Sequence, residues 1–182
     1  RDLTVTGVQT CALPICNAKL VRDAHLGVLW EGTSSVNAID IVRRAVGKER
    51  SHLALANDLH ARLDTNAIPG QFRGELNVLV DRAVEFVDKV AADQAAESSY
   101  RKAASALYHV TSAALMASEG ARLGAAGKDA RRLLMARLVI DHRLDRDDPF
   151  RISNAEREAE IFACLQNEDV VSLERVSQLL AA

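Results

Sequence analysis

Between Phe72 and Ala91 the apolar residues Phe72, Leu76, Leu79, Val80, Ala83, Val87, Val90 and Ala91 recur at steps of three and four, with charges filling the positions between. A period of 3.6 residues gathers such a set into one stripe on an α-helix, whereas a strand would need alternation. A long helix with one apolar stripe cannot leave that stripe in water, so other elements must cover it. The rest of the chain favours more helices: Ala, Leu and Val abound, aromatic residues are 4%, and proline occurs only at Pro14, Pro69 and Pro149. That composition suits helix better than sheet. The expected fold class is all-α, a helical bundle.

With 182 residues and 48% hydrophobic composition the chain can bury a core of one or two ordinary domains. Its formal net charge is −2, which supplies no strong positive field for a polyanionic partner, so nucleic acid is not an expected ligand. No stretch approaches the ~20 consecutive apolar residues of a bilayer span, so no membrane association is expected and the chain reads as soluble and cytoplasmic. Cys11, Cys16 and Cys164 form an odd set with neither CxxC spacing nor a histidine at ligand spacing, so no metal site and no disulfide framework is expected.

Further helices can be read from stripes and caps. Thr33, Ser34 and Ser35 are all candidate N-caps for a helix carrying Val36, Ile39, Ile41 and Val42 to about Ala45, ended by Gly47 in a left-handed conformation. Ser51 caps a second, with Leu53, Leu55, Ala56, Leu59, Ala61 and Leu63 on one side, before a linker over 65–70. After the Phe72–Ala91 stripe, Ser98 or Ser99 starts a helix whose Ala103, Ala104, Leu107, Tyr108, Val110, Ala114, Leu115, Ala121 and Leu123 leave few polar faces, as a central bundle helix would. Gly124 and Gly127 break it, Lys128 to Leu144 forms the next, and Asp147-Asp-Pro149 stops that one. Ser153 or Asn154 caps a segment with Ala159, Phe162 and Leu165, and Ser172 caps a terminal helix with Val176, Leu179 and Leu180.

The opening residues, Arg1 to Ile15, are β-branched and uncapped, unlike the Ala-rich helical remainder of the chain. They resemble the translation of a sequencing adapter, so residues 1–16 are expected to lie outside the fold; the alternative is an edge strand or loop. Cys164 is then the one thiol belonging to the fold. Beyond them, Arg22-Asp23-Ala24 precedes Leu29-Trp30-Glu31-Gly32-Thr33-Ser34-Ser35-Val36-Asn37-Ala38-Ile39-Asp40-Ile41-Val42-Arg43-Arg44. Taken in that order, these residues resemble the catalytic turn and last core helix of the FAD-dependent acyl-CoA dehydrogenases. The resemblance places residues 17–47 at the end of that family's C-terminal bundle. Residues 48–182 look like the accessory helical domain of its longer members, including those similar to the alkylation-response subfamily.

The resemblance implies α,β-dehydrogenation of an acyl-CoA thioester. Glu31 corresponds to the base that takes the α-proton, a task that calls for a carboxylate held within reach and raised in pKa by burial. Val28, Leu29 and Trp30 offer apolar walls for it. Gly32 corresponds to a substrate-contacting position, where the missing Cβ lets the thioester approach. Thr33, Ser34 and Ser35 correspond to positions that contact FAD. The same resemblance implies a homo-oligomeric flavoenzyme that passes electrons to an electron-transfer flavoprotein, and a stretch of this length alone is not expected to catalyse the reaction. Two other classes stay open: a DNA-associated relative acting in the alkylation response, and a non-catalytic helical interaction module.

Other polar residues read as structural. Asp141-His142-Arg143 is consecutive on a helix and reads as a solvated helix end. His52 and His60 lack an acidic or thiol partner at metal spacing, and His25 and His109 sit in apolar surroundings. Glu119 is either a contact to a neighbouring helix or a solvent-facing charge. Arg131, Arg132, Arg137, Arg143 and Arg146 alternate with Asp129, Asp141, Asp145, Asp147 and Asp148, a mixed-sign surface more than a basic face.

Overall fold

The computed structural model describes residues 34–65, 67–144, 155–167 and 169–181. Among these, every regular element is a helix, and the fold is an all-α bundle. Helix α1 spans Ser34–Asp40 and continues as a π-helical turn, Ile41–Val46; α2 is Ser51–Leu63 and α3 is Gly70–Ala92. A 3₁₀ turn, Gln94–Ser99, leads into α4, Tyr100–Ala125, followed by α5, Arg132–Val139, with a π-helical turn at Ile140–Leu144. Helices α6, Ala155–Gln166, and α7, Leu173–Ala181, complete the described chain.

Helix α4 is the hub and touches α1, α2, α3, α5 and α7. Its buried face is built from small residues, Ala103, Ala113, Ala114, Ala117, Gly120 and Ala121, which lets neighbouring backbones come close. At Gly120 a Cβ would stand 2.7 Å from the backbone nitrogen of Leu133, so only glycine permits the α4–α5 approach at that point. The main core joins Leu59 and Leu63 of α2, Phe72, Leu76 and Val80 of α3, the alanines of α4, Leu133 and Leu134 of α5, Ile161 of α6 and Val176 of α7. A second cluster packs Ala38, Val42 and Val46 against Val87, Val90, Tyr100 and Ala103, where α1 lies across the ends of α3 and α4 that adjoin the 3₁₀ turn.

The expected stripe on α3 is the buried one: Phe72, Leu76, Val80, Ala83, Val87 and Val90 face the core, with Leu79 and Ala91 half-buried. Ser172 caps α7 as expected, its Oγ accepting from the Arg175 N–H at 3.2 Å.

Other local expectations are corrected. Gly47 ends its helix in a right-handed conformation, φ −69°, because bonds from Gly47 N–H to Val42 O and Glu49 N–H to Arg44 O, both 2.9 Å, carry the π-helical winding past it. The left-handed residue is Arg50, φ 55°, and Arg50, not Ser51, stands at the N-cap of α2. The inward face of α2 is His52, Ala56, Leu59 and Leu63; Leu53 and Ala61 face solvent. On α4, Tyr108 and Leu115 are exposed. Gly124 stays inside α4, pressed against Ala130 and Leu173. The helix ends at Gly127, φ 70°, where Lys128 N–H reaches Leu123 O at 2.9 Å and Gly127 N–H reaches Gly124 O at 3.0 Å, a Schellman closure. Helix α5 starts at Arg132, later than Lys128, because Ala130 N–H is drawn to Val171 O at 2.9 Å and Arg131 N–H to Asp129 Oδ1 at 3.0 Å. On α6 the buried residue is Ile161, whereas Ala159 and Phe162 are exposed. The expected stop at 147–149 and the caps at Ser153 or Asn154 lie outside the described residues.

Candidate functional site

Of the residues singled out in the sequence, Glu31, Gly32, Thr33 and His25 lie outside the described residues, as does the leader over 1–16. Ser34 and Ser35 form the first turn of α1, both exposed, and that turn carries no acidic residue. Neither hydroxyl has a partner among the described residues.

One turn further along, α1 carries a dense ionic surface. Arg44 grips Asp40 through two bonds, Nε to Oδ1 at 2.8 Å and Nη2 to Oδ2 at 2.6 Å, and reaches Glu49 at 2.9 Å. These hydrogen bonds hold the Asp40 carboxyl below its ordinary range and raise the Arg44 guanidinium above its own. Arg43 lies over the Tyr100 ring at 5.6 Å and pairs with Glu97 at 2.9 Å. The Tyr100 hydroxyl is the larger cause of its upward shift, followed by the charge of Glu97. A shallow groove of about 390 Å³ between Val36, Ile39 and Lys48 runs along this surface. The i, i+4 spacing of Asp40 and Arg44 made their pairing readable; the tie to Glu97, far along the chain, was not.

The histidines find acidic partners that the sequence did not indicate, because those partners come from α3. His52 is buried, with Nε2 2.9 Å from Asp88 Oδ1, and neither ring nitrogen makes a hydrogen bond among the described residues. Arg50 reaches the same carboxylate at 3.2 Å. His60 sets Nδ1 2.6 Å from Asn77 Oδ1 and Nε2 2.9 Å from Asp81 Oδ1. Asn77 is oriented by its own Nδ2, which donates to Arg73 O at 3.0 Å. Among the described residues no cluster of His, Cys, Asp and Glu could hold a metal ion.

Asp141 is not part of a solvated helix end. It accepts from Arg137 Nε at 3.0 Å and Nη2 at 2.6 Å and lies 3.6 Å from Arg157. Arg137 is buried, donates from Nη1 to Glu75 at 2.6 Å and rests over the Phe72 ring at 5.6 Å. Burial acts to lower its pKa, but its hydrogen bonds to Asp141 and Glu75 outweigh that and leave it raised. The network joins α3, α5 and α6. A signal for it existed: Arg137 interrupts an apolar run and stands four residues before an aspartate.

Arg131 and Arg132, also basic residues of this region, are engaged as well. Arg132 pairs with Glu119 of α4, which settles Glu119 as an interhelical contact. Arg131 pairs with Asp129 at 2.6 Å and donates to Asp169 O at 2.7 Å, fastening the start of α5 to the connection before α7. Cys164 is a half-buried free thiol. No helix of the described residues is long and apolar enough to cross a membrane. No family model, no curated protein and no solved structure matches this chain.

Proposed function

We propose that this chain is the C-terminal part of an FAD-dependent acyl-CoA dehydrogenase. The carrying observation is the ordered string from Arg22-Asp23-Ala24 through Glu31-Gly32-Thr33-Ser34-Ser35 to Arg43-Arg44. The reading fits α1, which is helical over Ser34–Asp40, the part of the string that the structure describes. In this reading Glu31 removes the α-proton of the acyl-CoA, and Gly32 leaves room for the thioester beside the backbone. Thr33, Ser34 and Ser35 contact FAD, whose role when bound is to accept the β-hydrogen as hydride. Ser34 and Ser35 fit such a ligand in being exposed and unengaged among the described residues.

Asp40, Arg44 and Glu49 stiffen the helix behind that turn, so the serines are presented from a fixed scaffold. The accessory helices pack on α1 through Val87, Val90, Tyr100 and Ala103. Electron-transfer flavoprotein is the acceptor and a homo-oligomer the assembly in the same reading, and the cytoplasm its location.

The test is anaerobic titration of the full-length flavoprotein with an acyl-CoA, following loss of flavin absorbance, in the parent and in Glu31→Gln. Loss of a general base should slow reduction by about 10² to 10⁴-fold while flavin content is unchanged. Reduction at the parental rate in Glu31→Gln overturns the assignment.

A further inference from the structure

Beside the α3–α4 contact a groove opens at the surface. Both helices carry small residues there, Ala83 and Ala106, and the groove, of about 380 Å³, is floored by Leu79, Phe86 and Val110. That volume falls in the range of small-molecule sites, roughly 300–1,000 Å³. The rim is cationic, with Arg82, Lys89 and Lys102 set against the one carboxylate of Glu85. Arg82 and Lys89 are exposed and form no ion pair among the described residues. By contrast Arg43, Arg44, Arg62, Arg131, Arg132, Arg137 and Arg175 are each matched to a carboxylate.

The cations are not spread evenly. The short 3₁₀ connection makes α3 and α4 an antiparallel pair. Lys89, near the end of α3, and Lys102, near the start of α4, therefore share one end of the groove. The apolar floor runs away from them, and the helix between Lys89 and Leu79 is roughly 15 Å long. A positive end joined to a narrow apolar channel is complementary to an anion carrying an aliphatic tail. A peptide helix, about 10 Å across, needs a broad trough edged by large hydrophobic side chains, and the exposed ones on these helices, Val78, Tyr108 and Leu115, do not line this groove.

We propose that the groove between α3 and α4 binds a free fatty carboxylate, with its head group at Lys89 and its chain over Phe86 toward Val110 and Leu79. The proposal does not depend on the reading given to the Glu31 turn. Attraction by Lys89 holds the carboxylate end in water-accessible surroundings, and burial of the tail on the apolar floor supplies most of the affinity.

The test is calorimetric titration of dodecanoate, below its micellar concentration, into the whole chain. One saturable site per chain is expected, with affinity reduced at least about tenfold by Lys89→Glu and at least about tenfold by Ala106→Leu, which fills the channel. Dodecanol, which keeps the tail and lacks the charge, should bind at least about tenfold more weakly. Lys89 is exposed, so its variant keeps the fold, and circular dichroism verifies this for both. Should Ala106→Leu misfold, Arg82→Glu combined with Lys89→Glu serves in its place. The proposal is overturned if dodecanoate fails to saturate, if Lys89→Glu binds like the parent, or if only vesicles or an acidic peptide engage these residues.

Discussion

Arg137 of α5 and Asp141 of the π-helical turn after it face each other one helical turn apart, the guanidinium meeting the carboxylate at 2.6 Å and 3.0 Å, with Arg137 almost without solvent contact. The pair is completed by Glu75 from α3 and Arg157 from α6. Two charges inside a core cost several kcal/mol in lost hydration, and close, multiply bonded partners offset that cost. The arrangement specifies how three helices meet more than it adds to stability.

Truncating one member should therefore be worse than removing both. Arg137→Met leaves the half-buried Asp141 without its main partner, and about 3 kcal/mol of destabilisation is expected by urea unfolding. Arg137→Met combined with Asp141→Leu should recover at least about half of that loss. A double variant as unstable as the sum of its parts would show that the two residues act independently.

Gly120 and Gly74 should respond to alanine with opposite signs. At Gly120 the new Cβ meets the Leu133 backbone nitrogen at 2.7 Å and the Arg132 and Leu133 side chains at 3.1 Å. A backbone atom cannot swing aside, so α4 and α5 must separate, at a cost of about 2–3 kcal/mol. At Gly74, inside α3, nothing lies within 4 Å of the added atom, and Gly74→Ala should stabilise by roughly 0.5–1 kcal/mol through helix propensity. Thermal unfolding of the two variants reads both effects, and equal shifts would refute the packing argument at Gly120.

His109 carries a pH dependence whose sign follows from its surroundings. Partial burial first, then the positive charge of Arg143, lowers its pKa from the ordinary 6.5, while the Tyr108 ring meets it edge-on at 5.2 Å. The folded chain thus takes up this proton at lower pH than the unfolded chain. The neutral imidazole contributes stability above pH 6.5, and that contribution is lost as pH falls toward the folded pKa. The melting temperature of the parent relative to His109→Gln should be constant above neutrality and decline below about pH 6.5. Parallel curves for the two proteins across that range would rule the assignment out.

Stripe and cap signals were legible wherever apolar spacing and burial agree. The set from Phe72 to Val90 faces the core as its period requires, and Ser172 caps the last helix. They misled where a residue's chemistry and its direction part company. Leu53 is apolar and faces solvent, while His52, one position earlier, is buried against Asp88. Gly47 suggested a left-handed stop, but the π-helical hydrogen bonds keep the chain right-handed until Arg50. Asp141 looked solvated because its sequence neighbours are polar; Arg157 comes to it from a different helix.

From the residues alone came the helical class, the face that α3 turns inward, and the Glu31 to Ser35 string on which the proposed chemistry rests. These are properties of local spacing, which a 3.6-residue period or an ordered motif carries without knowledge of what lies opposite. The tertiary structure decided the rest: that Gly120 is the point of closest approach, that Arg137 is shared by α3, α5 and α6, and that Arg82 and Lys89 border an open groove. The physical reason is the same in each case. Packing and charge pairing depend on partners brought together from distant positions, and helix periodicity holds no record of which partners those will be.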